Sequence, residues 1–246
     1  MRADGAVAND VTFLLVRHGK TEFNTAGRVQ GWCDSPLTPE GVALAEALGR
    51  GLADVPIAAA FASDLGRAVS TAELILRARA EARASCGIAA QPPSLSLDAR
   101  LREWCYGDFE GQPGTQFDEL FRRTFGAQLT MNELDVRLPE VADAIADADT
   151  TGKAERLADV EARCRSFFEE AARSQAACGG GTVLAVTHAF TIKTTIYLFA
   201  RERVGVAGKI ANESVTELRY HAATGAFEIG AISDTSYLEK GANLPA

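Results

Sequence analysis

Two histidines, two arginines and one glutamate stand where a fold most easily does chemistry. Arg17-His18-Gly19 directly follows the apolar run 11–16 (VTFLLV), and His188 follows a second such run, 182–187 (TVLAVT). Arg67 lies just past the run 57–61 (IAAAF), in Ser63-Asp64-Leu65-Gly66-Arg67-Ala68, and Glu103 comes after Leu95 and Leu97, in Leu101-Arg102-Glu103. Short β-branched and aliphatic runs read as strands buried on both faces. In open parallel sheets functional groups gather at the carboxyl ends of such strands. Each of these residues alone reads as an ordinary loop or surface group. Together, on one rim, they supply what phosphoryl transfer needs: a nucleophile, cations around the phosphoryl oxygens and a proton donor for the leaving group.

The elements that must position these groups can be read along the chain. Thr38-Pro39-Glu40 opens a helix, with Thr38 as cap, Pro39 in the first turn and Val42, Ala45, Leu48 and Leu52 as the apolar face. Asp64 is expected to cap the next helix, whose face is Leu65, Ala68, Val69, Ala72, Ile75 and Leu76. Residues 78–93 are Ala-rich and end in Pro92-Pro93, a helix tail and loop, and Leu95 and Leu97 alternate as a third strand. Residues 113–152 read as an insertion that folds over the main domain. Phe117, Leu120, Phe121, Thr124 and Phe125 recur in it at helical spacing, and 127–152 is polar and weakly periodic.

A long amphipathic helix follows, carrying Leu157, Val160, Cys164, Phe167, Phe168 and Ala171 on one side and broken by Gly179-Gly180-Gly181. That triple glycine precedes a strand, whereas a phosphate-cradling loop follows one, so it reads as a tight turn. A helix over about 190–201 and two strands, 215–220 and 227–232, around Thr224-Gly225 complete the pattern. Strands alternating with helices predict an α/β fold of three layers, a mainly parallel central sheet flanked by helices, with the small helical insertion over the site. The expected organisation is a flexible lead over 1–10, one α/β domain over 11–235 and a tail over 236–246.

Composition narrows the function classes. A net charge of −8 without any run of Lys or Arg argues against nucleic-acid binding. No apolar run reaches the roughly 18 residues that cross a bilayer, and the first ten residues hold no apolar stretch of a signal peptide. Cys33, Cys86, Cys105, Cys164 and Cys178 are odd in number and lack CxxC spacing, which fits free thiols in a reducing cytoplasm. Three histidines without a nearby acidic cluster predict no metal site, and no cofactor is expected. Asn212-Glu213-Ser214 reads as a chance sequon, His221 as a strand-edge residue and Lys20 as exposed. Self-association into a homo-oligomer is left open.

The segments around the five candidates carry a family resemblance. LLVRHGKTEFN resembles the Arg-His-Gly signature of the histidine phosphatases (the phosphoglycerate mutase-like superfamily). GRVQGWCDSPLTPEG is similar to the phosphate-loop stretch after it, SDLGRAVSTAE to the second-arginine segment, LREWCYGDFEG to the acid-bearing loop and VTHAFTIK to the second-histidine segment. The resemblance implies that His18 is the nucleophile that becomes phosphorylated. It implies that Arg17, Arg67 and His188 bind the phosphoryl oxygens and that Glu103 is the general acid that later activates water. Asn24, Gln30 and Gly31 match further positions that line the phosphate site, and Ala189, standing where many members have Gly, keeps a backbone N–H for it. Trp104, Tyr106 and Phe109 could supply an apolar wall that raises the pKa of Glu103.

The acid-bearing loop, with an aromatic directly after the Glu, looks more like the phosphatase branch. The expected activity is therefore hydrolysis of a small phosphorylated metabolite. A phosphoglycerate mutase-type phosphotransferase is the alternative, and a non-catalytic phospho-ligand binder the non-enzyme one. Trp32, Phe23, Trp104, Phe117, Phe121 and Phe125 could form an apolar pocket over the site or could simply be core aromatics.

Overall fold

Residues 9–88 and 91–244 are described by the computed structural model, so residues 1–8 of the expected lead lie outside the described residues. In chain order the elements are β1 (Val11–Arg17), α1 (Glu22–Thr25), α2 (Pro39–Gly51), β2 (Ile57–Ala62), α3 (Gly66–Ser85) and β3 (Leu95–Leu97). Then come α4 (Thr115–Phe125), α5 (Met131–Val136), α6 (Leu138–Ala148), α7 (Leu157–Ala177), β4 (Gly181–Thr187) and α8 (Ala189–Phe199). β5 (Val215–His221), β6 (Ala226–Ile229) and α9 (Ser236–Ala242) follow.

The alternation inside β1 builds the layers. Phe13 and Leu15 enter one core, Leu14 and Val16 the other, the period of two that a strand covered on both faces requires. β4 repeats the split, with Val183 and Ala185 on the first side and Leu184 and Val186 on the second. Phe167 and Phe168 of α7 with Ile192 and Ile196 of α8 cover the first face. Leu48 and Leu52, in and just after α2, with Ala72 and Ile75 of α3 cover the second. The sheet order is β3-β2-β4-β1-β5-β6; the first four strands run parallel, β5 is antiparallel to β1, and β6 is antiparallel to β5. This is the mainly parallel, helix-flanked α/β sheet expected from the sequence.

Two local expectations are corrected, the cap of α3 and the C-terminal tail, and the helical insertion is seen in detail. Asp64 does not cap α3: the residue before the helix is Leu65, without a side-chain cap bond. Asp64 sits one place too early to reach the free N–H groups and instead grips the Arg102 guanidinium at 2.7 and 2.6 Å. Asp34, from a distant loop, accepts the Arg67 N–H in its place at 3.3 Å. The weakly periodic stretch 127–152 contains two helices. Thr130 and Glu133 form a capping box for α5, and Leu138, Val141, Ala142 and Ile145 bury one face of α6. The expected tail folds too. α9 crosses α2 so closely that a Cβ on Gly241 would stand 1.7 Å from the Ala47 carbonyl oxygen, and one on Gly51 1.8 Å from that of Tyr237. Glycine at both points is what lets the two backbones touch.

The segment 113–152 is tied to the main domain by a buried ion pair. Lys193 of α8 reaches Asp135 of α5 at 2.5 Å, with both side chains nearly inaccessible. The second carboxylate oxygen of Asp135 is buried without a partner. Removing one member strands the other charge, so Lys193→Met should lower stability by about 3–5 kcal/mol, read from the urea midpoint. The double change Lys193→Met with Asp135→Leu should recover most of the loss. A single variant as stable as wild type would show that the pair does not hold this segment.

Candidate active site

The register of β1 and β4 places Arg17 opposite Thr187, so the residues that follow them come together. His18 donates its backbone N–H to the Thr187 carbonyl at 2.9 Å. The His18 and His188 rings lie 5.1 Å apart, centroid to centroid. Ala62 at the end of β2 pairs with Val186, which brings the start of α3, and with it Arg67, to the same rim. Thr187 and Thr191 donate their hydroxyls to the Leu101 and Arg102 carbonyls, both at 2.7 Å, and these bonds seat the Glu103 loop beside them.

Each histidine is held in a definite state. His18 Nδ1 lies 2.8 Å from the Gly19 carbonyl oxygen. A carbonyl only accepts, so Nδ1 carries the hydrogen and Nε2 keeps its lone pair. Burial, then the charges of Arg67 and Arg17, hold the His18 pKa well below the usual histidine range. His188 is lowered likewise, by burial first and then by Arg67 and His18. Both rings are therefore neutral near pH 7, and His18 presents a nucleophilic nitrogen.

Glu103 is 4% exposed and pushed the other way. Burial raises its pKa, against the N–H groups of Phe190, Trp104 and Thr191 and the charge of Arg67. One carboxyl oxygen takes Trp104 N–H at 3.1 Å and Thr191 N–H at 3.0 Å, and the other takes Phe190 N–H at 3.0 Å. Phe190 and Thr191 open α8, so the helix N-terminus both orients the carboxyl and tempers its shift.

Several buried polar nitrogens have no protein partner: Arg17 Nε, Arg67 Nε and both ring nitrogens of His188, of which the neutral ring offers one as an N–H donor. Buried polar groups in folded proteins are nearly always satisfied. The Nε–H groups of Arg17 and Arg67 and the N–H of His188, gathered beside His18, form a ready anion seat. The rest of the Arg67 guanidinium is committed, to the carbonyls of Cys33 and Gly31 at 2.9 and 2.7 Å and to Asp34 at 3.1 Å. Its Nε edge is thereby held in place. Arg17 Nη1 is tied to the Ile210 carbonyl at 2.6 Å.

Arg17, His18, Asn24, Gln30, Glu103 and Ala189 line one cleft; His188, its ring 5.1 Å from that of His18, and Arg67 are buried. Gly31 departs from the expectation. It is absent from the cleft wall, its N–H goes to Glu110 at 3.1 Å and its carbonyl to Arg67. Its backbone links are spent within the fold, and through its carbonyl it braces the arginine. Lys20 pairs with Glu40 at 2.6 Å, away from the cleft lining, and His221 lies between Asp10 and Glu228 at the end of β5. Trp104 and Phe121 are core residues, and of the aromatics read as a potential pocket only Phe117 lines the cleft.

Two residues beneath the site had no sequence signal except the discounted sequon. Asn212 donates to the His18 carbonyl at 2.8 Å. Glu213, fully buried with a left-handed φ of 54°, accepts the Lys20 N–H at 3.1 Å and donates its own N–H to the Arg17 carbonyl at 3.0 Å. Burial raises the Glu213 pKa to about 7, opposed by the Lys20 N–H and Arg17. Together they fix the backbone on both sides of His18.

With this geometry in view, the chain belongs to the histidine phosphatase superfamily, branch 1, whose family model matches residues 13–232. Among solved structures it is similar to a phosphoglycerate mutase from Bacillus anthracis, at 33% identity and a TM-score of 0.85, covering 96% of this chain and 99% of that one. It is also similar to a mycobacterial glucosyl-3-phosphoglycerate phosphatase, at 25% identity and a TM-score of 0.68, covering 92% and 99% of the two chains. A Citrobacter koseri protein named "Probable phosphoglycerate mutase GpmB" is 37% identical over 129 residues, 51% of this chain and 53% of that protein. The chain thus spans about half the length of the curated relatives it matches.

Proposed function

We propose that this protein hydrolyses small phosphate monoesters through a phosphohistidine at His18. The observation that carries the reading is the neutral, Nδ1-protonated His18 set beside three buried, unpartnered N–H donors, one each from Arg17, Arg67 and His188, and a carboxyl of raised pKa. In the first step His18 Nε2 forms the N–P bond as the ester P–O bond breaks. Glu103 gives its proton to the departing oxygen, and Arg17, Arg67 and His188 meet the charge on the phosphoryl oxygens. In the second step water attacks phosphorus and Glu103, now a carboxylate, takes its proton. The P–N bond then breaks and returns its electron pair to Nε2. The balance is ester plus water giving alcohol plus inorganic phosphate.

The names of the relatives favour a second reading, in which the phosphoryl group returns to another hydroxyl instead of to water. Incubation with 3-phosphoglycerate and its bisphosphate primer separates the two: free phosphate supports the hydrolase and 2-phosphoglycerate the mutase. The substrate is a small metabolite, and five cysteines that form no disulfide fit a cytoplasmic setting. Because guanidinium groups and a histidine carry the phosphoryl charge here, dialysis against EDTA should leave turnover unchanged. A loss restored by Mg²⁺ or Zn²⁺ would overturn that assignment.

A further inference from the structure

Beyond its phosphate end the cleft has a different character. Its remaining wall is Arg28, Val29, Tyr106, Gly114, Phe117 and Phe190. The backbone there is already paired: Val29 N–H with the Gln112 carbonyl at 2.8 Å, Val29 carbonyl with Gly111 N–H at 3.0 Å and Gly114 N–H with the Gly27 carbonyl at 2.8 Å. The side-chain hydrogen-bonding groups in this stretch are the Tyr106 hydroxyl and Arg28. Arg28 donates one N–H to the Gly111 carbonyl at 2.7 Å and lies 5.7 Å over the Phe23 ring.

The aromatic part of the wall is fixed. Phe117 meets Tyr106 edge-on at 5.3 Å, lies 5.1 Å from Phe109 and stacks on Phe121 at 5.5 Å. Phe190 is held by Trp104 at 5.3 Å, with the Lys193 ammonium 5.3 Å from its ring centroid. The cleft is about 230 Å³, smaller than the roughly 300–1,000 Å³ of sites that take drug-sized ligands. It suits a phosphoryl group with a leaving group about the size of one ring.

Resting on the phosphomonoesterase reading, we infer that the site selects esters of apolar, ring-sized alcohols over esters of polyhydroxylated ones, with Phe117 of the 113–152 segment as the specificity-determining residue. A sugar or glycerol in this position would lose water and find few partners, and each hydroxyl left unpaired is penalised. A flat apolar group gains burial against Phe117, Tyr106 and Phe190 and the ring–ring contact itself. The segment that carries Phe117 is pinned by the Lys193–Asp135 pair, so this wall is in place before a ligand arrives.

The test compares benzyl phosphate with glycerol 3-phosphate, both of which release an alkoxide, so that leaving-group chemistry does not decide the result. Wild type should show a kcat/KM for benzyl phosphate at least about tenfold higher. Phe117→Ser should bring that ratio to within about threefold of one, and Phe117→Leu should retain part of the preference. The ratio cancels any general loss of active enzyme. A wild-type ratio at or below one, or an unchanged ratio in Phe117→Ser, overturns the inference and leaves the hydrolase reading standing. If neither ester is turned over and His18 never becomes phosphorylated, the hydrolase reading itself fails and takes the inference with it.

Discussion

His18→Ala is expected to abolish phosphate release, on the order of 10⁶-fold, the scale on which covalent hydrolases lose rate with their nucleophile. The effect should be this large because no neighbour can take over. His188, the other ring in the site, is neutral too, but it is wholly buried and outside the cleft lining, 5.1 Å from His18. In the proposed mechanism it donates to phosphoryl oxygens and does not attack phosphorus. A quench that avoids acid, followed by intact mass measurement, should find one added phosphoryl group on wild type and none on the variant. Phosphate release by His18→Ala close to the wild-type rate would remove the proposed nucleophile.

The second large effect belongs to Glu103→Gln. An aryl leaving group such as p-nitrophenolate is stable as an anion and gains little from a proton, whereas an alkoxide gains much, roughly 10²–10⁴-fold. Single-turnover measurement of phosphohistidine formation isolates that step. The variant should lose far more rate with an alkyl phosphate than with p-nitrophenyl phosphate. The glutamine amide nitrogen must face either the Phe190 N–H or those of Trp104 and Thr191, so some loss of geometry will be common to both substrates and drops out of the ratio. Equal losses on both would mean that Glu103 positions the phosphate and that the acid lies elsewhere.

How legible the molecule was depended on whether its contacts are local in sequence. β1 and β4 read clearly because burial on both faces demands an unbroken apolar run, and the residues following such runs land on one rim. That rule brought His18, Arg67, Glu103 and His188 together in advance. Partners that arrive from far along the chain left no such trace. Asn212 reaches the His18 carbonyl across 194 positions, and Asp34 does the capping expected of Asp64 across 33. Gly31 is ambiguous in the sequence because a glycine in a phosphate loop and a glycine under an arginine look alike until its N–H and carbonyl are traced. The helices of 131–148 did carry local marks, the Thr130–Glu133 box and Pro139 in the first turn of α6. A polar average over that stretch concealed them.

The crossing of α2 and α9 also bears on the order in which the fold can be completed. Arg50 donates to the Gly241 carbonyl at 3.2 Å across 191 positions. During synthesis the face of α2 that α9 covers therefore stays bare until nearly the whole domain has emerged. Loop closure over such a span grows only logarithmically in entropic cost, so the finished contact need not be weak for being distant. It does come late, since non-local pairings must wait for the chain between them. Residues 236–242 act as a closing clasp: the layer of α2 and α3 is sealed only when they dock.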